Sequence, residues 1–149
     1  MDKNHKLLFH GAKSRIEGKL DIHKSRTNND LGQGFYTGER YEQAISFISG
    51  FEKSSVYIFD FKEEGLKGKK YNVNQEWMMT IAYYRGVLEE YENHPIIKKL
   101  IEKSCDCDYI IAPIADNRMF QIINSFIMGE ITDEQCKHCL AATNLGYQY

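Results

Sequence analysis

The 149-residue sequence predicts one α+β domain, and three observations carry that prediction. Short apolar runs of strand length recur at residues 6–9, 54–61 and 109–114. Between them lie segments whose apolar residues repeat at intervals of three and four, the mark of an amphipathic helix. The alternation is irregular, and no repeat, low-complexity tract or linker divides the chain. An α+β fold is therefore expected in place of a doubly wound parallel sheet.

Residues 6–9 (KLLF) read as the first strand, ended by His10-Gly11. Residues 12–31 are polar and turn-rich and predict a long loop, a kind of segment that often carries function. Residues 33–37 read as a short extended piece. Residues 39–51 place Ala44, Phe47, Ile48 and Phe51 on one helical stripe. Val56, Tyr57, Ile58 and Phe59 mark the strand at 54–61, the charged stretch EEGLKGKK reads as a turn, and residues 71–73 as a short strand.

Residues 74–91 predict a helix with Trp77, Ile81, Tyr84 and Leu88 on one stripe and Asn74 as its N-cap. His94-Pro95 breaks it, because proline disfavours α conformation in the residue before it, and a helix at 95–103 follows. Residues 109–114 (YIIAPI) read as a buried strand, Asp116 as the cap of a helix at 118–128, and Gly129 as its end. Thr132, with Glu134 and Gln135 in the first turn, starts another helix. Residues 146–149 read as the beginning of a strand.

Hydrophobic residues at 42% and charged residues at 27% give a globular balance, which excludes a disordered chain. The net charge of −2 gives a nucleic-acid partner no support, although a local basic patch stays open. No apolar run suits a signal peptide or a membrane helix, so a cytoplasmic protein with reduced cysteines and no membrane partner is expected. Cys105-x-Cys107 and Cys136-x-x-Cys139 are the best metal-ligand candidates by residue type. Against that, Cys136, Cys139 and Leu140 fall at helical spacing, which suits small core residues, and no metal site is assigned. A zinc-stapled interaction domain stays as an alternative.

Two segments carry the chemistry. Leu8-Phe9-His10-Gly11-Ala12 is a strand ending in His-Gly, and Asp30-Leu31-Gly32-Gln33-Gly34-Phe35-Tyr36-Thr37 is a glycine-flanked aromatic pair. Gly32 and Gly34 permit a sharp turn or a close ligand, and alternation along a strand sends Phe35 and Tyr36 to opposite faces. The second segment lacks both the P-loop Lys-Ser/Thr and the full dinucleotide glycine pattern.

Together these segments resemble the ADP-ribosyltransferase superfamily of the poly(ADP-ribose) polymerase and diphtheria-toxin type. That group has a strand-borne His-Gly, then GxG-aromatic-Tyr, with a second aromatic eleven residues later, where Phe47 stands. FHGA, SR-x-x-x-DLGQGFY, Glu76-Trp77 with Arg85, DYIIAPIADNRMF and LGYQY further resemble an uncharacterised bacterial family over nearly the whole chain.

The resemblance implies a split β-sheet core around an NAD cleft, flanked by helices. It implies that Gly11 binds the nicotinamide amide, His10 the adenosine ribose, and Tyr36 and Phe47 the nicotinamide ring, within a segment that includes Gly34 and Phe35. The glutamate expected on a late strand is replaced by Gln148, which brings no charge. Two functions follow as expectations: an NAD-consuming mono-ADP-ribosyltransferase or NAD glycohydrolase, and a non-catalytic NAD or ADP-ribose module. A toxin-like role, with a small antitoxin-like protein as partner, is a further implication, and the acceptor stays open. Arg26 suits a pyrophosphate or a solvated loop, and Asp30 suits holding loop amides. Asp116, Asn117 and Arg118 are open to target recognition, with helix capping the competing role of Asp116, and Glu76 and Arg85 read as helix-surface or structural pairs.

Overall fold

The computed structural model describes residues 5–20, 22, 29–141 and 146–149. Five strands and five α-helices lie among them, in an α+β arrangement. Strand β1 (His5–Ala12) pairs antiparallel with β2 (Ser55–Lys62), in a register that sets Leu8 opposite Phe59 and His10 opposite Tyr57. Strand β3 (Gly68–Lys70) runs parallel to β4 (Tyr109–Pro113), and β4 pairs antiparallel with β5 (Tyr147–Gln148).

Gly38 joins these two small sheets. It bridges to Phe9 on one side and Gln148 on the other, so β1 and β5 lie on either side of one residue. A Cβ at Gly38 would overlap the Gln43 side chain, which would have to move to admit one. Thr37 and Tyr149 exchange two backbone hydrogen bonds of 2.8 Å beside it. The extended pairing expected at 33–37 thus falls at Thr37–Gly38.

Two strand boundaries differ from expectation. The stretch read as a charged turn contains β3, while Tyr71 ends that ladder by donating to the Ile111 carbonyl at 2.8 Å. A run with Lys69 and Lys70 suits a sheet edge, where charge deters further pairing. The helix expected at 74–91 stops early: α2 spans Gln75–Tyr84, and a 3-10 turn follows at Glu89–Tyr91. Gly86 is the cause. At φ 86° it takes the left-handed conformation, its N–H reaches Tyr83 and that of Val87 reaches Ala82, which closes a Schellman end.

The expected caps are in place. Asn74 accepts from the Trp77 amide at 3.0 Å and Asp116 from the Met119 amide at 2.8 Å. Thr132 and Gln135 bond reciprocally at the start of α5 (Asp133–Ala141). His94 caps α3 (Pro95–Cys105), and α4 covers Asn117–Ile127. Trp77, Met78 and Ile81 of α2 meet Met119 and Ile123 of α4, Ala112 of β4, and Cys136 and Leu140 of α5 in one closed core.

Helix α1 (Tyr41–Ile48) packs on the Phe9–Gly11 face of β1, burying Ala44 and Ile48. A Cβ on Gly11 would overlap the Ala44 carbonyl oxygen, so glycine sets how closely helix and strand approach. Phe47 and Phe51, expected on the buried stripe, stand 56% and 45% exposed. The helix is shorter than its apolar pattern, and its buried face needs only Ala44 and Ile48. Cys139 is likewise exposed rather than core, whereas Cys136 is buried.

Candidate functional site

A cleft of about 1050 Å³ opens where the two sheets meet at Gly38, with His10, Gly11, Gly34, Phe35, Tyr36, Phe47 and Gln148 on its walls. Six of the seven described ligand-site residues nominated from sequence lie on the segments β1, 34–36 and α1, and the seventh lies on β5. Arg26 lies outside the described residues.

His10 is fixed on two sides. Its Nδ1–H donates to the Tyr36 carbonyl oxygen, which selects the tautomer whose Nε2 is an acceptor. Phe35 stacks on the imidazole at 4.1 Å and 24°, and Phe59 meets Phe35 edge-on at 5.4 Å. Phe35 therefore serves as the platform that orients His10.

Alternation along β1 also aims Gly11. Phe9 exchanges both of its backbone bonds with Gly38, so Phe9 and Gly11 direct their N–H and C=O groups away from β2. That edge is where the cleft begins.

Tyr36 is held by its hydroxyl, which donates to the Gly32 carbonyl at 2.7 Å and accepts from the Leu31 amide at 3.0 Å. Burial pushes its phenol well above the usual value, so it stays protonated. Gly32, at φ 81°, has the Tyr84 ring where a Cβ would stand, which fixes the tight turn feeding Tyr36. Across the mouth, Phe47 lies under the Lys13 ammonium, 5.5 Å from the ring centroid. The Ile16 amide ties the rim to β2 by donating to the Tyr57 hydroxyl at 2.8 Å.

The sequence reading missed the centre of the floor. Arg85 pairs with Asp30, its Nε donating at 2.7 Å, donates to the Ala115 carbonyl at 3.0 Å, and lies 4.5 Å over the Phe120 ring. Gln148 Nε2 donates to Asp30 at 3.4 Å. Asp30 thus reaches well beyond its own loop, and Arg85 is a cleft residue. Glu76 pairs elsewhere, with Lys69 at 2.8 Å. The available signal was Gly86, which ends α2 and leaves Arg85 at its tip.

The cysteines do not converge on this site. Cys136 lies against the Met78 sulfur at 3.1 Å, and burial pushes its thiol up to about 11. Among the described residues, no group of three or more His, Cys, Asp or Glu side chains is placed to hold a metal ion, and no helix is long and apolar enough to cross a membrane.

No curated protein matches the chain, and no solved structure does. A family model matches residues 7–149, from β1 through β5 and so across every wall of the cleft, and the chain belongs to that family, described as protein of unknown function (DUF3990).

Proposed function

We propose that this protein is an NAD-dependent mono-ADP-ribosyltransferase or NAD glycohydrolase with an ADP-ribosyltransferase-like fold. One observation carries the reading: His10, Gly11, Tyr36, Phe47 and Gln148, scattered over the sequence, line a single cleft. Its volume of about 1050 Å³ suits a ligand of dinucleotide size.

In this reading the nicotinamide ring lies between Tyr36 and Phe47, and the Gly11 backbone bonds its carboxamide. His10 Nε2 accepts a hydroxyl of the adenosine ribose, and Gln148 a hydroxyl of the nicotinamide ribose. The C–N bond to nicotinamide breaks, and nicotinamide departs with the electron pair. The oxocarbenium-like ribose is then captured by water or by an acceptor hydroxyl or amine, which loses its proton to solvent, or by an acceptor carboxylate, which has none to lose. The fixed Tyr36 hydroxyl supports the reading, because a preset ring orders the ligand at little entropic cost.

The neutral amide of Gln148 favours a second reading, a binding module that holds NAD or ADP-ribose without turnover. Calorimetric titration with NAD, followed by chromatographic assay of free nicotinamide, separates the two. Binding with nicotinamide release is the expected result. Binding without release supports the module, and an absence of binding overturns both.

A further inference from the structure

We propose that Asp30 is a positioning residue for Gln148: it fixes the amide with its nitrogen inward and Oε1 toward the ligand, and it excludes a carboxylate from position 148. The identity of the ligand rests on the function proposed above, whereas the pairing does not.

Asp30 and Arg85 set the floor. Arg85 bonds Asp30 Oδ1, and Arg85 is itself seated by the Ala115 carbonyl and the Phe120 ring. Asp30 Oδ2 is then left toward Gln148. The amide nitrogen of Gln148 faces two groups, Asp30 Oδ2 and the Pro113 carbonyl oxygen, each at 3.4 Å. Both bonds are long, yet both neighbours are pure acceptors, so the reverse orientation would set three acceptor oxygens against one another. Chemistry therefore decides the orientation of the amide. The other end of the amide, Oε1, is the acceptor that remains for a ligand hydroxyl in the cleft that Gln148 lines.

The same geometry explains why the residue is glutamine. A carboxylate at position 148 would meet Asp30 Oδ2 and the Pro113 carbonyl with no proton to offer either. Two carboxylates sharing one site hold a proton between them more tightly than a lone carboxyl does. The charged and titratable groups that line the cleft with the pair are Arg85 at the tip of α2, His10, Tyr36, and Lys13, Arg15, Glu17 and Lys19 on the segment after β1. Arg85 already serves Asp30, so a second negative charge in that corner lacks a dedicated partner.

The test compares Gln148→Glu, Asp30→Asn and the double variant that exchanges amide and carboxylate. Thermal melting without ligand, from pH 4 to pH 8, reads the pairing alone. Gln148→Glu is expected to melt about 3–6 °C below wild type at pH 8, with the deficit shrinking toward pH 4. The sign follows from linkage: a carboxyl pair whose proton is held more tightly in the folded state loses stability as pH rises. The double variant, with one carboxylate restored to the corner, is expected to recover the wild-type pH dependence, a rescue that a merely space-filling role for Asp30 would not produce.

A Gln148→Glu protein that melts like wild type at every pH, or a double variant that keeps the pH-dependent deficit of Gln148→Glu, overturns the proposal. NAD titration of the same four proteins is the second arm. Each single variant is expected to weaken binding about tenfold, with partial recovery in the double. The expected melting pattern with no NAD binding in any protein, wild type included, upholds the pairing and overturns the NAD reading.

Discussion

The helical body formed by residues 71–140 closes on itself, whereas β1, α1 and β2 leave much of their apolar surface open. Trp77, Met78, Ile81 and Ile123 are wholly inaccessible in the first region. In the second, Leu8, Ala12, Ala44 and Ile48 are the buried apolar side chains, while Phe47 and Ile58 are 56% and 62% exposed. Thirteen buried residues join in one cluster, all of them between Tyr71 and Leu140, which places the store of apolar stabilisation away from β1. The difference teaches how this fold affords an open cleft. Stability concentrates on one side, and the other is free to present rings, a histidine and strand-edge amides to a ligand.

The comparison is tested most severely in the closed half. Ile81→Ala is expected to cost about 3–4 kcal/mol by deleting methyl groups from a site with no solvent access. Urea unfolding measures it, and a cost below about 1 kcal/mol would break the contrast.

Next in size is Tyr36→Phe, which leaves the Leu31 amide and Gly32 carbonyl without the hydroxyl that joins them. A loss of about 1–2 kcal/mol is expected, together with faster amide hydrogen exchange at Leu31. Unchanged exchange there would show that the loop is held by other means.

Phe47→Ala sharpens the comparison from the open side. Its exposure predicts a stability change within about 0.5 kcal/mol. Loss of one stacking face predicts about tenfold weaker NAD binding by calorimetry. A large fall in stability with no change in binding would return Phe47 to the core.

The smallest effect is electrostatic. Burial pushes the Glu39 carboxyl upward, but the Lys6 ammonium at 2.9 Å and the Tyr147 amide outweigh it and hold it below its ordinary value of 4.5. The hydrogen bond that Lys6 donates to Glu39 in turn raises Lys6. The Glu39 contribution is therefore complete above its unfolded value and is lost as pH falls through its lower folded value. Lys6→Met is expected to flatten the acid limb of a stability–pH curve, and an unaltered limb would show that the pair contributes nothing.

Legibility followed the reach of each interaction. The caps Asn74, Asp116 and Thr132 were readable because each bonds an amide three residues on. The α2 boundary was not, because the stripe through Trp77, Ile81, Tyr84 and Leu88 runs past Gly86, and a helix interior tolerates a lone glycine at a cost of about 1 kcal/mol. Strand β3 was hidden for a related reason: its lysines suit a turn equally well until β4 lies beside them. Within the site, His10, Tyr36 and Phe47 were legible through resemblance to a family motif, while Asp30 and Arg85 had no local signal of their partnership.

By itself the sequence determined the mixed α+β class, the order of most elements, their helix caps and the residues nominated for the cleft. The class, the order and the caps depend on side-chain period and on hydrogen bonds within one turn of chain, whereas the cleft residues were nominated through the resemblance of their motifs to a known family. Tertiary structure alone decided that Gly38 would join two sheets, that Phe35 would brace His10, and that Asp30 would reach Arg85 and Gln148, 55 and 118 residues away. Contacts of that span are fixed by which strands pair and where a helix stops, and no local propensity encodes them.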